Sequence, residues 1–132
     1  MTSSRRVIEP RKPTPNAARN FGLPLSAAVR AGDFVFLSGM AATDPATGDR
    51  LNGTVTAETR QILTNMAQLL EAAGSSLAKV VKVNVLIYSM LEYENMNSVY
   101  REFFPADPPA RTVCGVKLIG GHKVEIECVA LA

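Results

Sequence analysis

The chain has 132 residues, 47% hydrophobic and 20% charged, with no tryptophan, which suits one domain with a mainly aliphatic core and excludes disorder throughout. Its net charge of +2, from 14 basic and 12 acidic residues, gives no electrostatic reason for a nucleic-acid or membrane partner. No apolar run approaches the ~18 residues of a membrane span, and two cysteines without CxxC spacing beside a single histidine argue for reduced thiols in the cytoplasm and against a zinc cluster.

Residues 1–23 read as an extended, basic, proline-rich arm. Arg5, Arg6, Arg11, Lys12 and Arg19 face only Glu9 there, and Arg6-Val7-Ile8-Glu9 can form a short edge strand that Pro10 stops. Pro10, Pro13 and Pro15 break the amphipathic helix that an organelle transit signal needs. Residues 24–132 form the predicted domain. Two short apolar runs, Ser26 to Arg30 and Phe34 to Gly39, flank Ala31-Gly32-Asp33 and predict a hairpin. The cluster Asp44-Pro45-Ala46-Thr47-Gly48-Asp49 predicts a surface loop.

From Thr56 to Ala73 the apolar positions Ile62, Met66, Leu69, Leu70 and Ala73 recur at helical spacing, with Gly74 placed to end the helix. Thr56 is the expected N-cap. Val80 to Ser89 reads as a buried strand. A second helix is expected from Leu91 to Phe104, with Met96, Val99, Tyr100, Phe103 and Phe104 inward, ended by Pro105, Pro108 and Pro109. Two strands close the chain, Arg111 to Leu118 and Lys123 to Leu131. Together these elements predict an α+β two-layer domain, a mixed sheet of about five or six strands with two helices on one face. In the last strand Val124, Ile126, Cys128 and Ala130 share one face, and Glu125, Glu127, Val129 and Leu131 the other. A second face mixing carboxylates with aliphatics points to a cover by another subunit.

Three residues invite a chemical reading. Arg111 stands at a strand start behind prolines, and a guanidinium held on rigid backbone fits a small carboxylate with paired hydrogen bonds; the plain alternative is a structural ion pair. Glu125 on an aliphatic sheet face can have its pKa raised toward proton transfer with water, or can be a solvated strand carboxylate. Cys114 lacks a neighbouring histidine in sequence and reads as a structural thiol.

The stretch Phe36-Leu37-Ser38-Gly39, the helix end Phe103-Phe104-Pro105, the strand start Pro109-Ala110-Arg111 and the closing Val124-Glu125-Ile126-Glu127 together resemble the Rid (YjgF, L-PSP) family of enamine/imine deaminases, from about residue 24 to the end. The resemblance implies a chorismate-mutase-like fold and a homotrimer with active sites in the clefts between subunits. It also implies that Arg111 holds the substrate carboxylate and that Glu125 is the catalytic acid/base. Ser38, Gly39 and Asn97 then line the cleft, with a backbone amide near Val113 on the ligand. Leu25 stands where deaminases of the family carry a covering tyrosine, and Val113 where they often carry cysteine; the last hairpin is also shorter by one residue. The implied reaction is hydrolysis of a small 2-imino or enamine carboxylic acid to a 2-oxo acid and ammonia, with neither metal nor organic cofactor. Two other readings stand beside it: a 2-oxo-acid-binding regulatory trimer without turnover, and an endoribonuclease or translation inhibitor, for which one histidine and no basic aromatic stripe offer little.

Overall fold

In a computed structural model, residues 4–9 and 22–132 are described. Strand β1 (Arg5–Ile8) pairs antiparallel with β2 (Ala28–Ala31), which turns back into β3 (Phe34–Leu37). Gly32 at φ 58° supplies the left-handed residue of that turn. The first part of the arm is thus a sheet edge. The extended reading of residues 10–21 lies outside the described residues.

Helix α1 (Val55–Ala72) begins one residue before the sequence predicts, because Thr54, in extended backbone, accepts from the Ala57 amide at 3.1 Å and so is the cap instead of Thr56. Its end follows the expectation. Gly74 at φ 82° donates to Glu71 O at 3.0 Å and Ser75 to Leu70 O at 2.8 Å, the paired bonds of a Schellman stop. The stripe Ile62, Met66, Leu69 and Leu70 is fully or almost fully buried.

Strand β4 (Val80–Ile87) leads into α2 (Tyr93–Phe103), which starts later than the expected Leu91 because Met90–Glu92 form a separate 3-10 turn capped by Ser89. Strand β5 (Ala110–Gly115) is shorter than the predicted Arg111 to Leu118. Its partner β4 ends at Ile87, and an edge strand has no ladder beyond its neighbour. Strand β6 (Val124–Leu131) closes the sheet.

The result is a mixed six-stranded sheet in the order β1-β2-β3-β6-β4-β5, parallel only between β4 and β5, with α1 and α2 against one face, the α+β architecture expected. Val124, Ile126, Cys128 and Ala130 enter the core with Val83, Val85 and Ile87. The other face carries Phe34, Phe36 and Leu131, each over 40% exposed, beside Glu125, Glu127 and Val129. Among the described residues no helix is long and apolar enough to cross a membrane.

Glu58, on the first turns of α1, is 1% exposed. Its carboxylate accepts the amides of Lys123 at 2.9 Å and Gly53 at 3.0 Å and lies 3.8 Å from Lys123 Nζ, tying the start of β6 to the loop before α1. Glu58→Ala strands two amides in the interior, and we expect urea unfolding to report a loss of about 2–4 kcal/mol; a loss under ~0.5 kcal/mol would show that water replaces the carboxylate at no cost.

Candidate functional site

The residues singled out in the sequence gather into two groups. The first is built around Arg111, near the start of β5. The α2 positions 93, 97 and 100 fall on one helical face, and their side chains surround the guanidinium. Arg111 Nη1 donates to Asn97 Oδ1 at 2.8 Å and Nη2 donates to Tyr93 OH at 3.0 Å. The guanidinium carbon lies 4.6 Å from the Tyr100 ring centre and 5.7 Å from that of Tyr93. Burial pushes the Tyr100 phenol up to about 12, so it stays neutral beside the cation. Asn97 is itself buried and donates to Glu94 Oε1 at 3.3 Å. The group is a rotationally fixed cation, held on one nitrogen by Asn97 and on the other by Tyr93. Val113, two residues on, is half-buried on the same side of β5, whereas Cys114 is exposed on the opposite side.

The second group surrounds Glu125. A cavity of about 640 Å³ beside it is lined by Leu23, Leu25, Ala27, Ser38, Gly39, Met40 and Leu69, together with Arg50, Ile119 and His122. Met40 is fixed by reciprocal backbone bonds with Ile126 at 2.8 and 3.0 Å. Ser38 donates its hydroxyl to Ser26 O at 2.6 Å, so it holds the strand entry and keeps only acceptor capacity for a ligand. Burial, and secondarily the charge of Glu127, holds the Glu125 carboxyl above its ordinary range. A group so placed takes a proton more readily than a surface glutamate. His122 moves the other way: burial first, then the Arg50 charge, lowers its pKa, with Glu58 opposing.

Gly39 makes room for Glu125. A Cβ there would stand 2.5 Å from Glu125 Oε2. Since the carboxylate is the end of a flexible side chain, Gly39→Ala is expected to fold and to displace it, lowering kcat at least about tenfold with little change in the urea midpoint. Wild-type kcat in the alanine variant would show that the placement of Glu125 is immaterial.

Within one subunit the two groups face apart. Arg111 is level with Val83 on β4, and Glu125 is level with Leu86. Val83 and Leu86 alternate to opposite faces of β4, so Arg111 lies on the helix side and Glu125 on the open side. Leu25, Ser38, Gly39 and Glu125 are brought together; Arg111, Asn97 and Val113 form their own group. Sequence reading missed Tyr93, Arg50, Ile119 and His122. Tyr93 was within reach, since it stands four residues before Asn97 on the same helical face. Among the described residues no group of three or more His, Cys, Asp or Glu side chains could hold a metal ion.

A family profile described as Endoribonuclease L-PSP matches residues 16–132. A RutC family protein of Pyrococcus horikoshii is 42% identical over 118 residues, 89% of this chain and 93% of that protein. The 2-iminobutanoate/2-iminopropanoate deaminase of Homo sapiens is 35% identical over 109 residues, 82% of this chain and 80% of that one. Among solved structures, E. coli TdcF with bound serine superposes with a TM-score of 0.84 at 30% identity, covering 96% of this chain and 98% of its own.

Proposed function

The chain belongs to the Endoribonuclease L-PSP family, which includes the Rid proteins, and on that premise we propose that it is a deaminase hydrolysing a small 2-imino or enamine carboxylic acid to a 2-oxo acid and ammonia. The observation that carries the reading is the pairing of a fixed arginine with a carboxyl of raised proton affinity on one fold. The likeness to a human imine deaminase and to a structure holding an amino acid supports it.

Because Arg111 and Glu125 face apart within one subunit, a single ligand meets both only where two copies adjoin. The apolar open face supports such an assembly: Phe34, Phe36 and Leu131 leave a surface that a second copy would cover. The proposed unit is a homotrimer with one cleft at each junction. A cytoplasmic location is proposed with it, supported by the free thiols Cys114 and Cys128.

In the cleft, Arg111 of one copy binds the substrate carboxylate, oriented by Asn97 and Tyr93, while the amide near Val113 steadies the same end. Leu25, Ser38 and Gly39 of the adjacent copy shape the pocket around Glu125. Glu125 takes a proton from water as its oxygen bonds to the imine carbon, and the π electrons pass to nitrogen. The carboxyl then returns the proton to nitrogen. Glu125 then carries the proton of the adduct's hydroxyl to the amino nitrogen, and as the carbon–nitrogen bond breaks the oxygen's electrons form the carbonyl, releasing ammonia and leaving the 2-oxo acid. Positioning and proton transfer are all that is asked of the protein, because the imine carbon is already electrophilic. Nothing in the pocket favours phosphodiester cleavage; its one histidine, His122, is less basic than a free imidazole.

The test is ammonia release from an imine generated in situ by a serine/threonine dehydratase. Adding the purified protein is expected to speed release in proportion to its concentration; an unchanged rate alongside measurable 2-oxo-acid binding would favour the regulatory trimer instead.

A further inference from the structure

The hydrogen bond between Arg111 and Tyr93 runs in one direction only. A guanidinium has donors and no acceptor, so in the 3.0 Å contact from Arg111 Nη2 the Tyr93 oxygen accepts. The hydroxyl's own hydrogen is therefore turned away from Arg111, and among the described residues no acceptor takes it. Tyr93 is half-buried, so that hydrogen faces the cleft and not the core. The other polar groups around the cation are engaged or enclosed. Asn97 is buried, with its oxygen on Arg111 Nη1 at 2.8 Å and its amide turned to Glu94 at 3.3 Å. The Tyr100 hydroxyl is enclosed, and Tyr100 meets the cation with its ring, 4.6 Å from the guanidinium carbon.

Tyr93 is also held in place. It opens α2 directly after the turn Met90–Glu92, where Ser89 accepts from the Leu91 amide at 3.3 Å and Glu92 N donates to Ser89 O at 3.1 Å. Its ring packs against the core, with the guanidinium carbon 5.7 Å from the ring centre. Both residues belong to one copy and stand on the helix side of the sheet, so their bond does not depend on the face that a second copy covers.

Arg111 limits where a ligand atom can sit. Nη1 already meets Asn97 Oδ1 and faces Met96 Sδ at 4.0 Å, which leaves Nε and the second Nη2 hydrogen for a carboxylate. The two Nη2 hydrogens diverge in the guanidinium plane, so a carboxylate oxygen on one stands apart from the Tyr93 oxygen on the other. The ligand group within reach of the hydroxyl is then the one carried by the 2-carbon, next to the carboxylate. We propose that Tyr93 donates its hydroxyl hydrogen to the imine nitrogen of the substrate and, in the product, to the 2-oxo oxygen. The phenol keeps its proton throughout. As water bonds to the imine carbon and the π electrons pass to nitrogen, the charge developing there strengthens this hydrogen bond, which favours the transition state over the bound imine. A hydroxyl already set by Arg111 and the core needs no rearrangement at that moment. The inference rests on the deaminase reading and adds to it a donor at the nitrogen.

The test compares wild type with Tyr93→Phe in two measurements. Hydrolysis of an imine made in situ by a serine/threonine dehydratase should lose about ten- to a hundredfold in kcat. Calorimetric binding uses pyruvate and propanoate, acids of equal length that differ by the 2-oxo oxygen. Wild type should bind pyruvate at least about fivefold tighter, and Tyr93→Phe should remove most of that preference while leaving propanoate within about twofold. A loss shared equally by both acids would assign Tyr93 to orienting Arg111 alone and overturns the proposal. An unchanged kcat or an unchanged preference for pyruvate overturns it too. If wild type hydrolyses no imine yet Tyr93→Phe selectively loses pyruvate, the deaminase reading fails and the contact to the 2-position group stands. Binding of neither acid by wild type removes the carboxylate site, and this inference with it. The substitution deletes one oxygen from a half-buried ring, so the variant should fold, which the urea midpoint checks.

Discussion

Arg111→Ala is expected to lower kcat/KM for imine hydrolysis by roughly a hundred- to several-thousandfold. The guanidinium is the one cation in its group, and a charge-assisted pair of hydrogen bonds to a substrate carboxylate is worth about 3–5 kcal/mol, which at 1.36 kcal/mol per decade gives that range. The loss should appear mainly as a weaker hold on the carboxylate, so 2-oxo-acid affinity should fall alongside. Arg111→Lys separates charge from shape. Lysine retains the positive charge, but its three donors diverge from a single nitrogen and cannot replace the planar fork that holds Asn97 and Tyr93 at 2.8 and 3.0 Å while offering a carboxylate parallel bonds, and we expect activity between wild type and alanine. Because truncation also leaves the buried Asn97 carbonyl unpartnered, urea unfolding should accompany the kinetics. A folded alanine variant with wild-type kcat/KM would remove Arg111 from the mechanism.

Glu125→Gln should keep affinity for a 2-oxo acid and lose kcat, by about a hundred- to ten-thousandfold, the usual span of general acid–base catalysis. The reaction needs the ionised carboxylate to accept a proton. Activity is therefore expected to fall as pH drops through the Glu125 pKa, and that limb should lie above the ~4.3 of an unperturbed glutamate because burial and Glu127 both disfavour the charge. The sign of the Glu127 effect gives a control. Removing its negative charge makes ionisation of Glu125 easier, so Glu127→Gln should move the acid limb to lower pH, toward but not reaching an ordinary carboxylate, since burial is the larger cause. A limb that stays put or rises in Glu127→Gln assigns the titration to some other group.

Much of the layered fold was legible before any coordinates. The apolar stripe of α1, the alternation of β6 and the proline stop after α2 are local patterns, and each recurs in the structure with boundaries moved by one or two residues. The boundaries moved where a competing local bond existed: Thr54 took the cap from Thr56, and Ser89 capped a separate turn ahead of α2. β5 ended early for a reason no local pattern contains, the length of its neighbour.

The candidate site divides differently. Arg111 and Glu125 stand out by residue type and by resemblance to a family, whereas Tyr93, Arg50 and Ile119 do not, because their roles depend on which elements meet. Tyr93 matters through its hydroxyl on Arg111, which requires α2 to lie over β5. Arg50 matters through Gly120, 70 residues away along the chain.

By itself the sequence determined a two-layer α+β domain, since periodicity and turn chemistry are properties of the chain read locally, while its resemblance to the Rid family singled out Arg111 and Glu125 as the side chains proposed to act. Only the tertiary structure decided that those two side chains face apart. Side-chain facing in a strand alternates with every residue, so it is set by register, and the register of β5 and β6 on β4 is fixed by burial of Val83, Val85, Ile87, Val124 and Ile126 against helices far away in sequence.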